Sequence, residues 1–199
     1  MRASAPPPPQ AFAGIRGTRL AAGAALGFWT LALILRDNPW SFLDWINLAF
    51  HEAGHLFLLP FGETLHFLGG TLFQLLVPLL LSVRLVVQGS PFSAAACSWW
   101  LGENLLGIAF YMADARELKL PLVGGGENDW NHLFYQWGLL GEDSVGLVAS
   151  VTRGMGVGIM LASCLWMLAL ALPEETQAAL LDGLARRWTR GQAFCSRGE

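Results

Sequence analysis

The run His51-Glu52-Ala53-Gly54-His55 sets two imidazoles four residues apart, with a carboxylate directly after the first. On a helix, positions i and i+4 share a face, so both rings can offer a nitrogen to one Zn²⁺ at about 2.0–2.1 Å. Glu52 then stands beside the pair. It can take a proton from a water whose pKa zinc lowers and later hand that proton to a leaving amine. This is the HExxH division of labour of zinc hydrolases. Three fixed positions also arise by chance, but here they fall midway along an apolar segment. Ionisable groups are costly in a bilayer and usually mark a site or an ion path. The plain alternative is three polar side chains satisfied by hydrogen bonds between helices.

A catalytic zinc takes a third protein ligand and keeps a position for water. Four residues compete for that role. Asp114 ends an apolar segment, where an ion pair with Arg116 or a helix-end carboxylate is the rival reading. Asp129 and His132 lie three apart after Gly124-Gly125-Gly126, with Asp129 near the start of a short helix; a solvated acidic loop is the rival. Asp129 is favoured over His132, because a glycine-rich approach lets a short carboxylate reach a buried ion. His66 follows a turn and reads as interfacial. Gln74 and Asn104 are amides able to hold a substrate backbone extended, although helix-to-helix hydrogen bonds are the commoner use. Glu103 in an apolar segment needs a partner of its own.

The elements that must position these groups are apolar helices. The chain has 199 residues, 54% hydrophobic and 14% charged, with a mean hydropathy of +0.45. That is the composition of a membrane protein, whose partner is the lipid bilayer. With 12 basic against 15 acidic residues there is no concentrated basic face for nucleic acid. Cys97, Cys164 and Cys195 show no CxxC spacing and indicate no disulfide framework.

The expected fold is all-α, a polytopic transmembrane helix bundle with four to five membrane segments. Residues 1–19 read as a flexible basic, proline-rich arm, 20–173 as the transmembrane domain, and 174–199 as an amphipathic, Arg-rich tail. Leu20–Leu35 is expected to be an uncleaved anchor with a cytoplasmic N-terminal side. Leu43–Pro60 carries HEAGH, His66–Val87 is the longest apolar run, and Phe92–Ala113 and Val145–Leu172 complete the set. Five crossings would put Arg186, Arg187, Arg190 and Arg197 opposite the basic arm, against the positive-inside tendency. One segment therefore should not cross. Gly69, Gly70, Gln74 and Pro78 suit a helix packed against other helices, or one that kinks, and Leu65–Val83 is the segment that would suit a re-entrant hairpin buried in protein.

Phe50 to His55 resembles the zinc helix of the site-2 protease group of intramembrane metalloproteases. A longer stretch, about Asn47 to Leu140, resembles a little-studied family of bacterial membrane proteins. That family combines HEAGH, Gly-Gly-x-x-x-Gln-x-x-x-Pro (here Gly69, Gly70, Gln74, Pro78), Tyr-x-Ala-Asp-Ala (Tyr111 to Ala115) and His-Asp-Trp. This chain departs from the last motif with Asn128-Asp129-Trp130. The Leu-Asp-Gly triplet of site-2 proteases, whose Asp is a zinc ligand, occurs here only as Leu181-Asp182-Gly183 among tail charges and is discounted. The resemblance implies a membrane-embedded zinc metallopeptidase of the bacterial inner membrane, acting on a peptide or membrane-protein substrate. A non-catalytic membrane assembly protein and a haem-binding helix bundle are the rivals.

Overall fold

The computed structural model describes residues 9–122, 127–173 and 175–176, with side chains from residue 16 onward. The elements are α1 (Pro9–Ile34), α2 (Leu43–Leu58) with a 3₁₀ turn (Leu59–Phe61), α3 (Glu63–Val87), α4 (Pro91–Ala113), α5 (Asp129–Gln136) and α6 (Glu142–Ala171). Among the described residues the fold is entirely helical. Three helices among the described residues are long and apolar enough to cross a membrane: Arg16–Ile34 within α1, then α3 and α6. The 25 residues of α3 reach about 37 Å, longer than a hydrocarbon core of about 30 Å. Large apolar side chains cover the outer surface of the bundle, among them Phe28, Leu31, Leu56, Phe57, Leu80, Leu147 and Leu165. A surface this apolar is suited to lipid rather than water.

Helix α4 forms the centre, with Trp99, Leu105, Leu106, Ile108, Ala109 and Met112 all buried. It packs most extensively on α6, and Gly102 and Gly156 permit the approach: a Cβ on Gly102 would lie 2.7 Å from the Gly156 carbonyl oxygen. In lipid, where apolar side chains gain nothing by leaving one solvent for another, such close backbone packing is what drives helix association.

Two expectations change. Helix α3 is continuous through Gly69, Gly70 and Pro78, so it does not turn back as a re-entrant hairpin would. Its glycines serve the other expected use, a flat contact for a neighbouring helix, here α2. Second, helix starts at Pro9 and so includes residues 9–19 of the stretch assigned to a flexible arm. Ala11 and Ala13 favour helix. Residues 1–8 of that arm, and the tail at 174–199 apart from 175–176, lie outside the described residues.

Candidate metal centre

Apart from Glu52, the exposed side of helix α2 is largely apolar, whereas Asp44, Asn47 and the two histidines turn toward the rest of the bundle. His51 and His55 lie one turn apart on its inner face, their ring centroids 4.6 Å apart and nearly perpendicular. Gly54 is buried between the turns that carry them. A Cβ on Gly54 would overlap the Gly69 carbonyl, and one on Gly69 would lie 2.5 Å from the Gly54 oxygen. The two backbones therefore touch, which draws α3 under the histidines. Gly70, the next residue, lies directly beneath the His51 ring.

The third member comes from α5. Asn128 caps that helix, its side-chain oxygen accepting from the Asn131 amide, and Asp129 occupies the first helical position. The Asp129 amide donates to the Tyr111 hydroxyl of α4 at 3.1 Å, and the Asn131 side chain donates to the Ala115 carbonyl at 2.7 Å. These bonds fix α5 against the end of α4. Asp129 Oδ2 then lies 2.9 Å from His51 Nε2 and 3.4 Å from His55 Nε2.

The geometry fits a metal ion. One ligand atom from each of His51, His55 and Asp129 falls within 4.8 Å of the others. Donors 2.0–2.1 Å from a tetrahedral centre sit about 3.3 Å apart, close to both imidazole–carboxylate separations. His55 Nδ1 is 2.8 Å from the His66 carbonyl, which can only accept, so Nδ1 carries the hydrogen. With Nδ1 committed, Nε2 of His55 is the nitrogen turned toward the carboxylate oxygen, a contact that a proton on Nε2 or a metal ion between the two would satisfy. The backbone carbonyl thus orients the imidazole as outer partners of metal ligands do. His66 Nδ1 reciprocates, donating to the His55 carbonyl at 3.1 Å.

Burial acts to raise the Asp129 carboxyl pKa, but the hydrogen bonds and charges of His51 and His55 outweigh it and leave the group below the ordinary carboxylate range. The carboxylate is therefore ionised, the form that ligates a metal. Glu52 is exposed on the outer side of α2. Trp45 and Leu56, on the same side of α2, are also exposed.

Other expected site residues lie elsewhere. Asp114 turns away to cap the end of α4, accepting from the amides of Lys119 at 2.9 Å and Leu120 at 3.0 Å. His132 stacks on Phe67 with centroids 3.9 Å apart and reaches Glu63 at 3.3 Å, tying α5 to α3. Neither joins the His51–His55–Asp129 cluster. Gln74 is half-buried one turn beyond Gly70 on α3, adjacent to the cluster along that helix. Asn104 is interior, its amide donating to the Trp100 carbonyl at 3.1 Å, two turns from Tyr111. Glu103 finds the partners it needs in Ser41 (2.7 Å) and Asn47 (3.0 Å). His51 and His55 share one helix face and one carboxylate, which is unlike a pair of histidines approaching a haem from opposite sides.

Sequence reasoning missed Tyr111 as a support for Asp129 and passed over His66. The chain matches no family model, no curated protein and no solved structure.

Proposed function

We propose that this protein is a zinc-dependent membrane metallopeptidase in which His51, His55 and Asp129 hold the metal and Glu52 is the general base. The observation that carries the reading is the His55 Nε2 to Asp129 Oδ2 approach of 3.4 Å, with Nδ1 already committed to the His66 carbonyl. Three protein donors leave a tetrahedral metal one open position, the pattern of catalytic rather than structural zinc. When bound, zinc would supply Lewis acidity and lower the pKa of water toward neutrality.

The chain's own residues supply the rest. Glu52 receives a proton at its carboxylate and returns it to the leaving amine. Tyr111 holds the Asp129 backbone, and Gly70 leaves room for the His51 ring. Gln74, beside the cluster on α3, offers an amide to an extended substrate backbone.

Profiling of membrane-protein N-termini in cells carrying wild type or Glu52→Gln tests the activity. New N-termini present with wild type and absent with the variant support it; identical profiles with equal expression contradict it. A non-catalytic membrane protein is the second reading. The direct His51–Asp129 bond of 2.9 Å favours it, since these groups also satisfy each other without metal.

A further inference from the structure

The first two helices climb the same side of α4 in sequence. At the start of α4, the Arg19 guanidinium lies 5.6 Å over the Phe92 ring. Farther along, Thr30 Oγ1 accepts from Trp99 Nε1 at 2.7 Å. Above that level α2 takes over: Ser41 and Asn47 bind Glu103, Asn47 accepts from Trp100, and the His51 ring lies 6.4 Å from Tyr111. Helix α6 runs the other way beside them, with Gly23 near Met167 and Ile34 near Arg153.

The interruption between α1 and α2 is stabilised within the bundle. Arg153 donates to the Ile34 carbonyl at 2.9 Å, placing a cation at the C-terminal end of α1. Asn38 accepts from the Trp40 amide, and Asp44 accepts from the Ser41 amide. Broken helices occur at membrane depth where their free backbone groups find protein partners. Helix α2, at 16 residues, is also shorter than the roughly 20 a crossing needs.

We infer that α1 and α2 form one broken leg, that the chain makes four passes (α1 with α2, α3, α4 and α6), and that the metal cluster lies at the non-cytoplasmic end. Charge assigns the sides. Arg16, Arg19 and Arg84 gather where α1 and α4 begin and α3 ends. Helix α6 ends at that level, and the sequence that follows it carries Arg186, Arg187, Arg190 and Arg197. Among the described residues the opposite end has only Arg116 and Lys119 beside Glu63, Asp114, Glu117, Glu127, Glu142 and Asp143. The positive-inside rule puts the arginine-rich end in the cytoplasm. Four passes also remove the conflict that five created, and the segment that does not cross alone is α2.

The cluster is close to the opposite end. Tyr111 is two residues from the end of α4, His55 three from the end of α2, and Asp129 belongs to the connecting segment between α4 and α6. Taken with the peptidase reading, on which this last step rests, the substrate is a polypeptide exposed on the non-cytoplasmic side of the membrane, not a cytoplasmic peptide.

Single-cysteine labelling tests the topology apart from the activity. In the full chain, with Cys97, Cys164 and Cys195 changed to Ala, Lys119→Cys and Gln88→Cys are treated with a membrane-impermeant maleimide in intact and in permeabilised cells. Lys119→Cys should label in both, and Gln88→Cys at least tenfold more after permeabilisation. Labelling of Gln88→Cys in intact cells, or protection of Lys119→Cys until permeabilisation, overturns the inference. Should the cysteine-free chain fail to accumulate, protease sites inserted after Leu118 and after Gly89 in the native chain read the same sidedness. External protease should cut the first and spare the second, and the reverse overturns it.

Discussion

The imidazole of His51 rests on the bare Cα of Gly70: a Cβ there would come within 2.5–2.6 Å of three of the ring atoms. One helix turn away, Gly54 and Gly69 meet backbone to backbone. The glycines of HEAGH and of the Gly-Gly motif are thus two halves of one contact, which places α3 beneath the metal-binding face of α2.

Glycine-to-alanine changes should therefore diverge by position. In an unobstructed helix interior the change gains up to about 1 kcal/mol. Gly27→Ala, with nothing within 4 Å, should be neutral or stabilising. Gly54→Ala should instead lose about 1–3 kcal/mol by overpacking the α2–α3 crossing. Gly70→Ala should displace His51 and lower metal occupancy. Thermal unfolding and metal content of the three purified variants check the ordering.

Two aspartates that look alike in sequence should behave differently. Asp129→Asn should remove most of the bound metal, because its carboxylate is the only acid within reach of both histidines among the described residues. Asp114→Asn should keep the metal and loosen residues 115–120 by about 1 kcal/mol, through weakened bonds to the Lys119 and Leu120 amides. Metal content separates the ligand from the cap; hydrogen exchange over 115–120 reads the second effect.

Tyr111→Phe keeps the ring packing and removes one acceptor from the Asp129 amide. As with other supports of metal ligands, the expected outcome is a loss of about 10–100-fold in metal affinity with the fold intact. Competition against a zinc indicator measures it, and an unchanged affinity would assign Tyr111 to packing alone.

Glu52→Gln should leave metal affinity within a few-fold of wild type while lowering turnover by about 10²–10⁴, the usual share of a general base. The pair of measurements distinguishes Glu52 from the ligands, whose loss removes both.

Much of this site was readable from residue types and spacing. The i, i+4 histidines needed only helix geometry, and Asp129 was favoured because glycines precede it and a helix start follows. Tyr111 was not readable, because its bond to Asp129 spans 18 residues and depends on how α5 docks. His66 was hidden for a related reason: its carbonyl, not its ring, orients His55. Gly69 and Gly70 suit either a helix packed against others or a re-entrant turn, since sequence alone cannot tell a glycine that turns the chain from one that lets another helix approach. The apolar helices were evident from composition, whereas the broken leg of α1 and α2 depends on which level of α4 each one meets.

Metal content of the detergent-purified protein, wild type beside His55→Ala, tests the central claim most directly. About one zinc per chain in the wild type, lost in the variant, is the outcome this account predicts. Absence of metal from both after purification with zinc supplied, or equal metal in both, would contradict it and leave His51, His55 and Asp129 as a buried polar contact between helices.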